Sequence, residues 1–179
     1  VNNPIYAVAL SPDGQFAAAG RSNRIDLYHV PTGKHLGEAT DDKLPNGQIY
    51  EKKPAHLDFV TSLAFAPDSR SLASGSYREI KFWNLDGPRV LKEFKIPASA
   101  QIAISADGQL LGSAHENKVQ IWDLSQAKKL RDIEAQTANV TALSFSADST
   151  KILSGDENGS LRAWSVDDGK LVAQAAIEE

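Results

Sequence analysis

The chain contains no cysteine and no methionine among its 179 residues. The first absence excludes disulfides, zinc–thiolate centres and thiol nucleophiles together, and leaves the compartment open between cytoplasm and periplasm. The second means that residue 1 is not an untouched translation start, so the chain is either processed or an excerpt of a longer protein, and the count of blades below makes an excerpt the expectation. No run approaches the roughly 18 to 20 apolar residues that cross a bilayer, and no basic stretch followed by an apolar one opens the chain. A soluble chain without a membrane partner is expected. The formal charge is −4 and the 19 Lys and Arg are scattered rather than striped, which argues against nucleic acid as a partner. The four histidines (His29, His35, His56, His115) are not at metal-ligand spacing. Gly-rich phosphate loops, Gly-x-Ser-x-Gly and His-Glu-x-x-His are absent. No catalytic residue, metal or cofactor is expected.

What is present is one sentence written four times. It reads Val8-Ala9-Leu10-Ser11-Pro12-Asp13-Gly14, Leu63-Ala64-Phe65-Ala66-Pro67-Asp68-Ser69, Ile102-Ala103-Ile104-Ser105-Ala106-Asp107-Gly108 and Leu143-Ser144-Phe145-Ser146-Ala147-Asp148-Ser149. The turn aspartates are 55, 39 and 41 residues apart, and a period near 40 marks four-stranded propeller blades. A closing aromatic (Tyr28, Trp83, Trp122, Trp164) follows each aspartate after 15, 15, 15 and 16 positions. Because the aspartates recur at the same turn, they read as turn formers rather than as an acid/base pair.

Periodicity within each copy is two, which argues strands. Val8/Leu10, Leu63/Phe65, Ile102/Ile104 and Leu143/Phe145 each share one face of a first strand, with Ala or Ser on the other. Second strands are built of small residues, third strands alternate, and fourth strands are polar, as free edges should be. The fourth strands are placed at residues 34–39, 89–96, 129–135 and 170–176. The reading is all-β, with blade 1 at 1–40, an inserted loop at 41–54, blade 2 at 55–96, blade 3 at 97–135 and blade 4 at 136–179. Two prolines, an Asn-Gly pair and six charges make the insertion a surface loop.

These residues resemble the WD-repeat family of β-propellers over essentially the whole chain. The second copy matches most fully, with His56, Val60 to Asp68, Leu72-Ala73-Ser74-Gly75-Ser76 and Ile80-Lys81-Phe82-Trp83. Trp122-Asp123 is the one copy of the dipeptide that names the family. The resemblance implies a hydrogen-bonded structural tetrad of His, Asp, Ser or Thr, and Trp in each blade. Here His56, Ser74 and Trp83 match in blade 2, but the turn Tyr77-Arg78-Glu79 is a residue short and lacks the Asp. Blade 3 keeps Ser113 and Trp122. Blade 4 has Ser154, Trp164 and Asn158-Gly159 at the Asp position, with Gln136 in place of His. Blade 1 keeps none, so blades 1 and 3 are expected to lean on apolar packing. The wording of the first two copies is also similar to the propeller region of large bacterial multidomain proteins that carry a c-type cytochrome module, which implies a bacterial excerpt. Haem attachment itself is impossible without cysteine.

Propellers of this family close with seven or eight blades, and four are present. An open half-ring would expose faces lined by Val8, Leu10, Leu143 and Phe145 or by the small residues behind them. At roughly 25 cal/mol per Å², leaving several hundred Å² bare on each face would forgo on the order of ten kcal/mol. Two half-rings pairing as a homodimer into an eight-bladed ring is the expected solution. A four-bladed closure and blades absent from the excerpt stay open beside it.

The resemblance implies a non-catalytic scaffold whose unidentified protein partner docks on the loops before the first strand and between the second and third. The matching positions are Arg21, Asn23, Arg24, Asp58, Phe59, Tyr77, Arg78, Glu116, Asn117, Glu157 and Asn158. Arg21, Arg24, Tyr77 and Arg78 lead, since Arg and Tyr dominate hot spots. A purely structural self-assembling fragment and an enzyme with a loop-built site are the alternatives.

Overall fold

The computed structural model describes residues 4–45, 53–87, 89–96, 101–134 and 137–176. Sixteen strands form four antiparallel sheets, each joining neighbours in chain order. Blade 1 comprises β1 (Ile5–Leu10), β2 (Phe16–Arg21), β3 (Arg24–His29) and β4 (Lys34–Ala39). Blade 2 comprises β5 (Ser62–Phe65), β6 (Ser71–Ser76), β7 (Glu79–Asn84) and β8 (Arg89–Lys95). Blade 3 comprises β9 (Gln101–Ile104), β10 (Leu110–His115), β11 (Lys118–Asp123) and β12 (Lys128–Glu134). Blade 4 comprises β13 (Val140–Phe145), β14 (Lys151–Asp156), β15 (Ser160–Ser165) and β16 (Leu171–Ala176). A single 3₁₀ turn, Val30–Thr32, is the only helical element among the described residues. The chain divides into two compact units, 1–99 and 100–179, each holding two blades.

The closing aromatic does the same thing in every blade. Tyr28, Trp83, Trp122 and Trp164 stand opposite Ala17, Leu72, Leu111 and Ile152 of the second strand. At each of them the pairing of third with fourth strand shifts register, between Leu27/Tyr28, Phe82/Trp83, Ile121/Trp122 and Ala163/Trp164. An extra residue in the fourth strand bends it at the bulkiest side chain of the sheet.

The repeated aspartate is a turn former in all four copies. Asp13 Oδ1 accepts from the Ser11 hydroxyl at 2.6 Å and the Gln15 N–H at 2.9 Å. Asp107 and Asp148 repeat this with Ser105 and Gln109, and with Ser146 and Thr150. In blade 2 Ala66 has no hydroxyl, and Ser71 supplies it from the other side of the turn at 2.7 Å. These donors hold the carboxyls of Asp13, Asp107 and Asp148 below the ordinary carboxylate range. The residue after each aspartate has positive φ. Gly14 and Gly108 take it without steric cost, whereas Ser69 (φ 56°) and Ser149 (φ 59°) do so against it. Their hydroxyls explain why they are used: Ser69 Oγ accepts the Asp13 N–H at 3.1 Å and Ser149 Oγ accepts the Asp107 N–H at 3.2 Å. Within each unit the turn of the second blade is thus pinned to the turn of the first.

Stacking within each unit follows the large-on-small pattern of the sequence. In unit 1, Leu63 and Phe65 of β5 pack on a core of Ala18, Ile25, Leu27, Val60, Leu72 and Trp83. A Cβ on Gly20 would lie 2.8 Å from Val60 Cγ1, so the close approach requires glycine there. In unit 2, Leu143 and Phe145 of β13 pack against a core that includes Ile121, Ile133, Ile152 and Trp164. A Cβ on Gly112 would meet Ile152 Cδ1 at 2.5 Å and Phe145 Cε2 at 3.1 Å. Of the two arrangements left open for blade 4, the structure shows the second: Leu143 and Phe145 are spent inside unit 2, and the small residues Ala142 and Ser144 occupy the exposed side of β13. Val8 and Leu10, their counterparts in β1, are 70 % and 60 % exposed.

The insertion is likewise less superficial than its composition suggests. Asp41, Pro54 and Ala55 at its ends are buried, and the Asp41 N–H donates to Pro54 O at 3.0 Å, closing a neck. Residues 46–52, and Gln136 of blade 4, lie outside the described residues.

Gly112→Val is expected to lower stability by about 1–3 kcal/mol through overpacking. Ile152→Val, which removes the clashing Cδ1, should restore part of the loss in a double variant; denaturant titration of both variants checks it.

Candidate functional site

In unit 1 three segments meet at one end of the sheets. The Val60 N–H donates to Ser22 O at 2.7 Å, and the Ala55 and His56 N–H groups both donate to Asn23 O, at 3.0 and 3.2 Å. The β2–β3 turn of blade 1 is thereby stitched to the segment leading into β5. The Tyr77–Arg78 turn joins from blade 2, with the Ile96 N–H bonded to Arg78 O at 3.2 Å. On this rim Phe59 (50 % exposed) and Tyr77 (51 %) stand out, with Arg78 placed over the Tyr77 ring at 5.5 Å. Asp58 caps the Phe59 N–H at 2.7 Å.

Sequence reasoning missed two neighbours. Leu57 is exposed in the same segment, and exposed Tyr6 of β1 makes an edge contact with Phe59, ring centroids 5.3 Å apart. Leu57 was open to detection, since it is an apolar residue just ahead of a first strand. Nothing in the sequence paired Tyr6 with Phe59.

Arg21 and Arg24 are differently placed. Arg21 Nη2 and Nε reach Asp26 Oδ2 at 2.7 and 2.8 Å, and His35 Nε2 lies 3.0 Å from Asp26 Oδ1. Asp26 is 2 % exposed. Arg24 pairs with Glu38 at 3.3 Å with little of its side chain exposed. Blade 1 therefore carries an ionic cluster, a correction to the expectation that it leans on apolar packing. The buried Asp26 of β3 and the largely buried Glu38 of β4 need partners, and find them in Arg21, in the more exposed His35 and in Arg24.

In unit 2 the same rim positions are acidic and amide-rich. The Val140 N–H donates to Glu116 O at 2.7 Å, the Glu157 N–H donates to Asn139 O at 3.0 Å, and the Asn139 amide reaches Glu157. Glu116, Asn117, Glu157 and Asn158 are all exposed. The rims thus differ: aromatic and cationic at blade 2, acidic at blades 3 and 4.

Beneath the unit 1 rim lies a buried hydrogen-bond relay. Trp83 Nε1–H donates to Ser74 Oγ at 2.7 Å, the Ser74 hydroxyl donates to His56 Nε2 at 2.6 Å, and His56 Nδ1–H donates to Glu79 Oε1 at 2.7 Å. Since Ser74 has one proton and Glu79 only accepts, this order fixes the neutral His56 tautomer. The conclusion that blade 2 lacks its acid is corrected: the turn is a residue short, and the longer Glu79 side chain reaches the histidine from the start of β7. Lys81 was unforeseen. It is 1 % exposed, and its Nζ donates to Asp41 Oδ2 at 2.7 Å and Ala55 O at 2.9 Å and lies 3.5 Å from Glu79 Oε1. One buried ammonium thus holds both ends of the insertion and the base of the relay. Blades 3 and 4 keep the shorter Trp122–Ser113 and Trp164–Ser154 bonds, at 3.0 and 2.9 Å. Asp123 accepts from Ser125 and Gln126 as a turn former. Among the described residues no group of three His, Asp or Glu is arranged to hold a metal.

Trp83→Ala is expected to cost about 3–5 kcal/mol and more than Tyr28→Ala, because only Trp83 anchors a relay. Equal losses in urea titration would reject this. Burial pushes the His56 pKa below its ordinary 6.5. As pH falls below that value the unfolded chain takes the proton first, so stability declines, at up to about 1.4 kcal/mol per pH unit. His56→Gln should remove this component below pH 6.5, as read from urea midpoints.

The family described as "WD domain, G-beta repeat" matches residues 2–29, 47–84 and 127–165. Actin-interacting protein 1 of Drosophila melanogaster is 26 % identical over 172 residues, covering 92 % of this chain and 26 % of that protein. Apoptotic protease-activating factor 1 of Rattus norvegicus is 30 % identical over 94 % of this chain and 15 % of its own length. Small ribosomal subunit protein RACK1 of Glycine max is 25 % identical over 92 % of this chain and 40 % of its own. The chain therefore spans well under half the length of the relatives it matches. No helix among the described residues is long and apolar enough to cross a membrane. With the repeated blade, the Trp–Ser bonds and the His56 relay in place, the chain belongs to the WD-repeat family.

Proposed function

We propose that the chain is a non-catalytic protein-interaction scaffold whose partner docks on the rim of unit 1. The family is generally one of interaction scaffolds, and relatives such as actin-interacting protein 1 are named for what they contact. The observation that carries the reading is the exposed group Leu57, Phe59, Tyr77 and Arg78, held on hydrogen-bonded loops over a buried relay. Large aromatics and Arg on a rigid support are the composition of a hot spot. Asn23, Asp58, Arg21 and Arg24 would serve as its frame, and Glu116, Asn117, Glu157 and Asn158 as a separate acidic rim. The net charge of −4 supports neither nucleic acid nor an anionic membrane as the partner. A bacterial source, in cytoplasm or periplasm, belongs to the same reading and rests on the wording of the first two copies.

The scaffold is also proposed to close on itself. In each unit the large first-strand residues of the second blade are covered by the blade before it, and Val8 and Leu10 of β1 call for the same cover. The exposed small residues Ala142 and Ser144 of a second copy's blade 4 are of the required type, so two chains would complete an eight-bladed ring.

Tyr77→Ala with Arg78→Glu should abolish capture of the partner while leaving the melting temperature within the small range of exposed substitutions, about 0.5 kcal/mol; undiminished capture would remove the rim. Light scattering should give twice 19.3 kDa, and Val8→Asp should shift the particle toward the single-chain mass. A monodisperse single chain would overturn the ring.

A further inference from the structure

The two units differ at one place where a blade meets the next. In unit 2, Arg131 of β12 stands opposite Ile121 of β11 and crosses from blade 3 to the β15–β16 turn of blade 4, where its Nη2 donates to Asp167 O. Its stem runs along that turn, since a Cβ on Gly169 would lie 3.0 Å from Arg131 Cδ. A long apolar stem with a cationic tip is suited to such a seam. Blade 1 supplies no counterpart. Gly37 of β4 stands opposite Leu27 as Arg131 stands opposite Ile121, and a Cβ built on it would meet nothing within 4 Å. Its φ of 136° is one that residues with a side chain rarely adopt, so the position is kept for glycine.

Unit 1 has instead a cavity of about 250 Å³ at the seam of blades 1 and 2. Phe16, Leu27 and Leu36 line it from blade 1 and Leu85 from blade 2, with Arg70 and Asp86 beside them. Sites for drug-sized ligands run to roughly 300–1,000 Å³, so this one is of the size for a single long side chain. Asp86 follows Trp83 by three residues as Asp167 follows Trp164, which makes its carbonyl the counterpart of the one that Arg131 reaches. The Asp86 carboxylate is already held by Arg70 at 2.6 Å, in a pair exposed on both sides. We infer that the unit 1 seam binds an arginine side chain presented by a partner protein, its stem against the apolar walls and its guanidinium on the Asp86 carbonyl. The second unit carries this occupant within its own chain. Arg70 stands where unit 2 has Thr150, and its charge opposes the incoming guanidinium, so it limits affinity rather than recognising an anion. Phe16 opens β2 whereas the rim follows Arg21 at its other end, so the cavity and the rim are separate surfaces.

The probes are acetylated Gly-Ser-Xaa-Ser-Gly peptides with arginine, its neutral isostere citrulline, leucine or glutamate at the centre, titrated into the 179-residue chain and followed by methyl NMR. The arginine peptide is expected to shift the methyl signals of Leu27, Leu36 and Leu85 to saturation and to bind roughly tenfold tighter than the citrulline peptide. Leu36→Ala, which removes a half-exposed wall, should weaken binding. Arg70→Thr, which gives the seam the residue of unit 2, should tighten it several-fold, a gain that no loss of folding can produce. Tyr77→Ala with Arg78→Glu should leave peptide binding unchanged, so failure of the rim and failure of the seam are told apart. The absence of a saturable shift overturns the inference, as does citrulline binding as well as arginine. Tighter binding of the leucine peptide would make the cavity a purely apolar site, and tighter binding of the glutamate peptide, or weaker arginine binding in Arg70→Thr, would make Arg70 the recognition group; each overturns it.

Discussion

Everything in these units depends on one steric constraint: the bulky face of one sheet must enter the shallow face of the sheet before it. Gly20 beneath Val60, and Gly112 beneath Ile152 and Phe145, mark where the separation is too small for even a methyl group. Interiors close-pack to the density of organic crystals, so this fit sets which residues of the first two strands are large and which are small. It also sets where polar loops emerge.

Blade 2 adds an electrostatic layer to that frame. A buried ammonium among Asp41, Glu79 and the Ala55 carbonyl is stable only because its partners are arranged around it, and removing one partner of such a group is far more damaging than its net contribution suggests. The arrangement couples the neck of the insertion to the relay under Tyr77 and Arg78. The neck of the insertion and the base of the relay thus share one buried cation, Lys81.

Much of this was legible in the sequence. Fixed spacing from turn aspartate to aromatic located the first three strands of every copy, and the alternation of Leu63/Phe65 and Leu143/Phe145 with small residues told that large faces stack on small ones, though not which face of an end blade stays bare. The outer strands were placed to within a residue or two, as edges without a packing signal allow. What escaped was anything depending on side-chain length in three dimensions. The Tyr77-Arg78-Glu79 turn is a residue short and has no Asp, yet the one extra methylene of Glu79 restores the reach to His56. Asp41 and Lys81 are 40 residues apart and read as solvated charges, and Asp26 with Arg21 and His35 reads as ordinary strand alternation. Long-range polar pairing leaves no local period to detect.

The alternation of Gly14, Ser69, Gly108 and Ser149 carries a consequence for how such an array can change length. A serine at this turn reaches back to the aspartate N–H of the preceding blade, and a glycine has nothing to reach with. The smallest increment that preserves the pattern is therefore a couple, one member carrying glycine and the next serine. Insertion or loss of a single copy would leave two serines or two glycines in succession, while growth by couples would keep the alternation in phase.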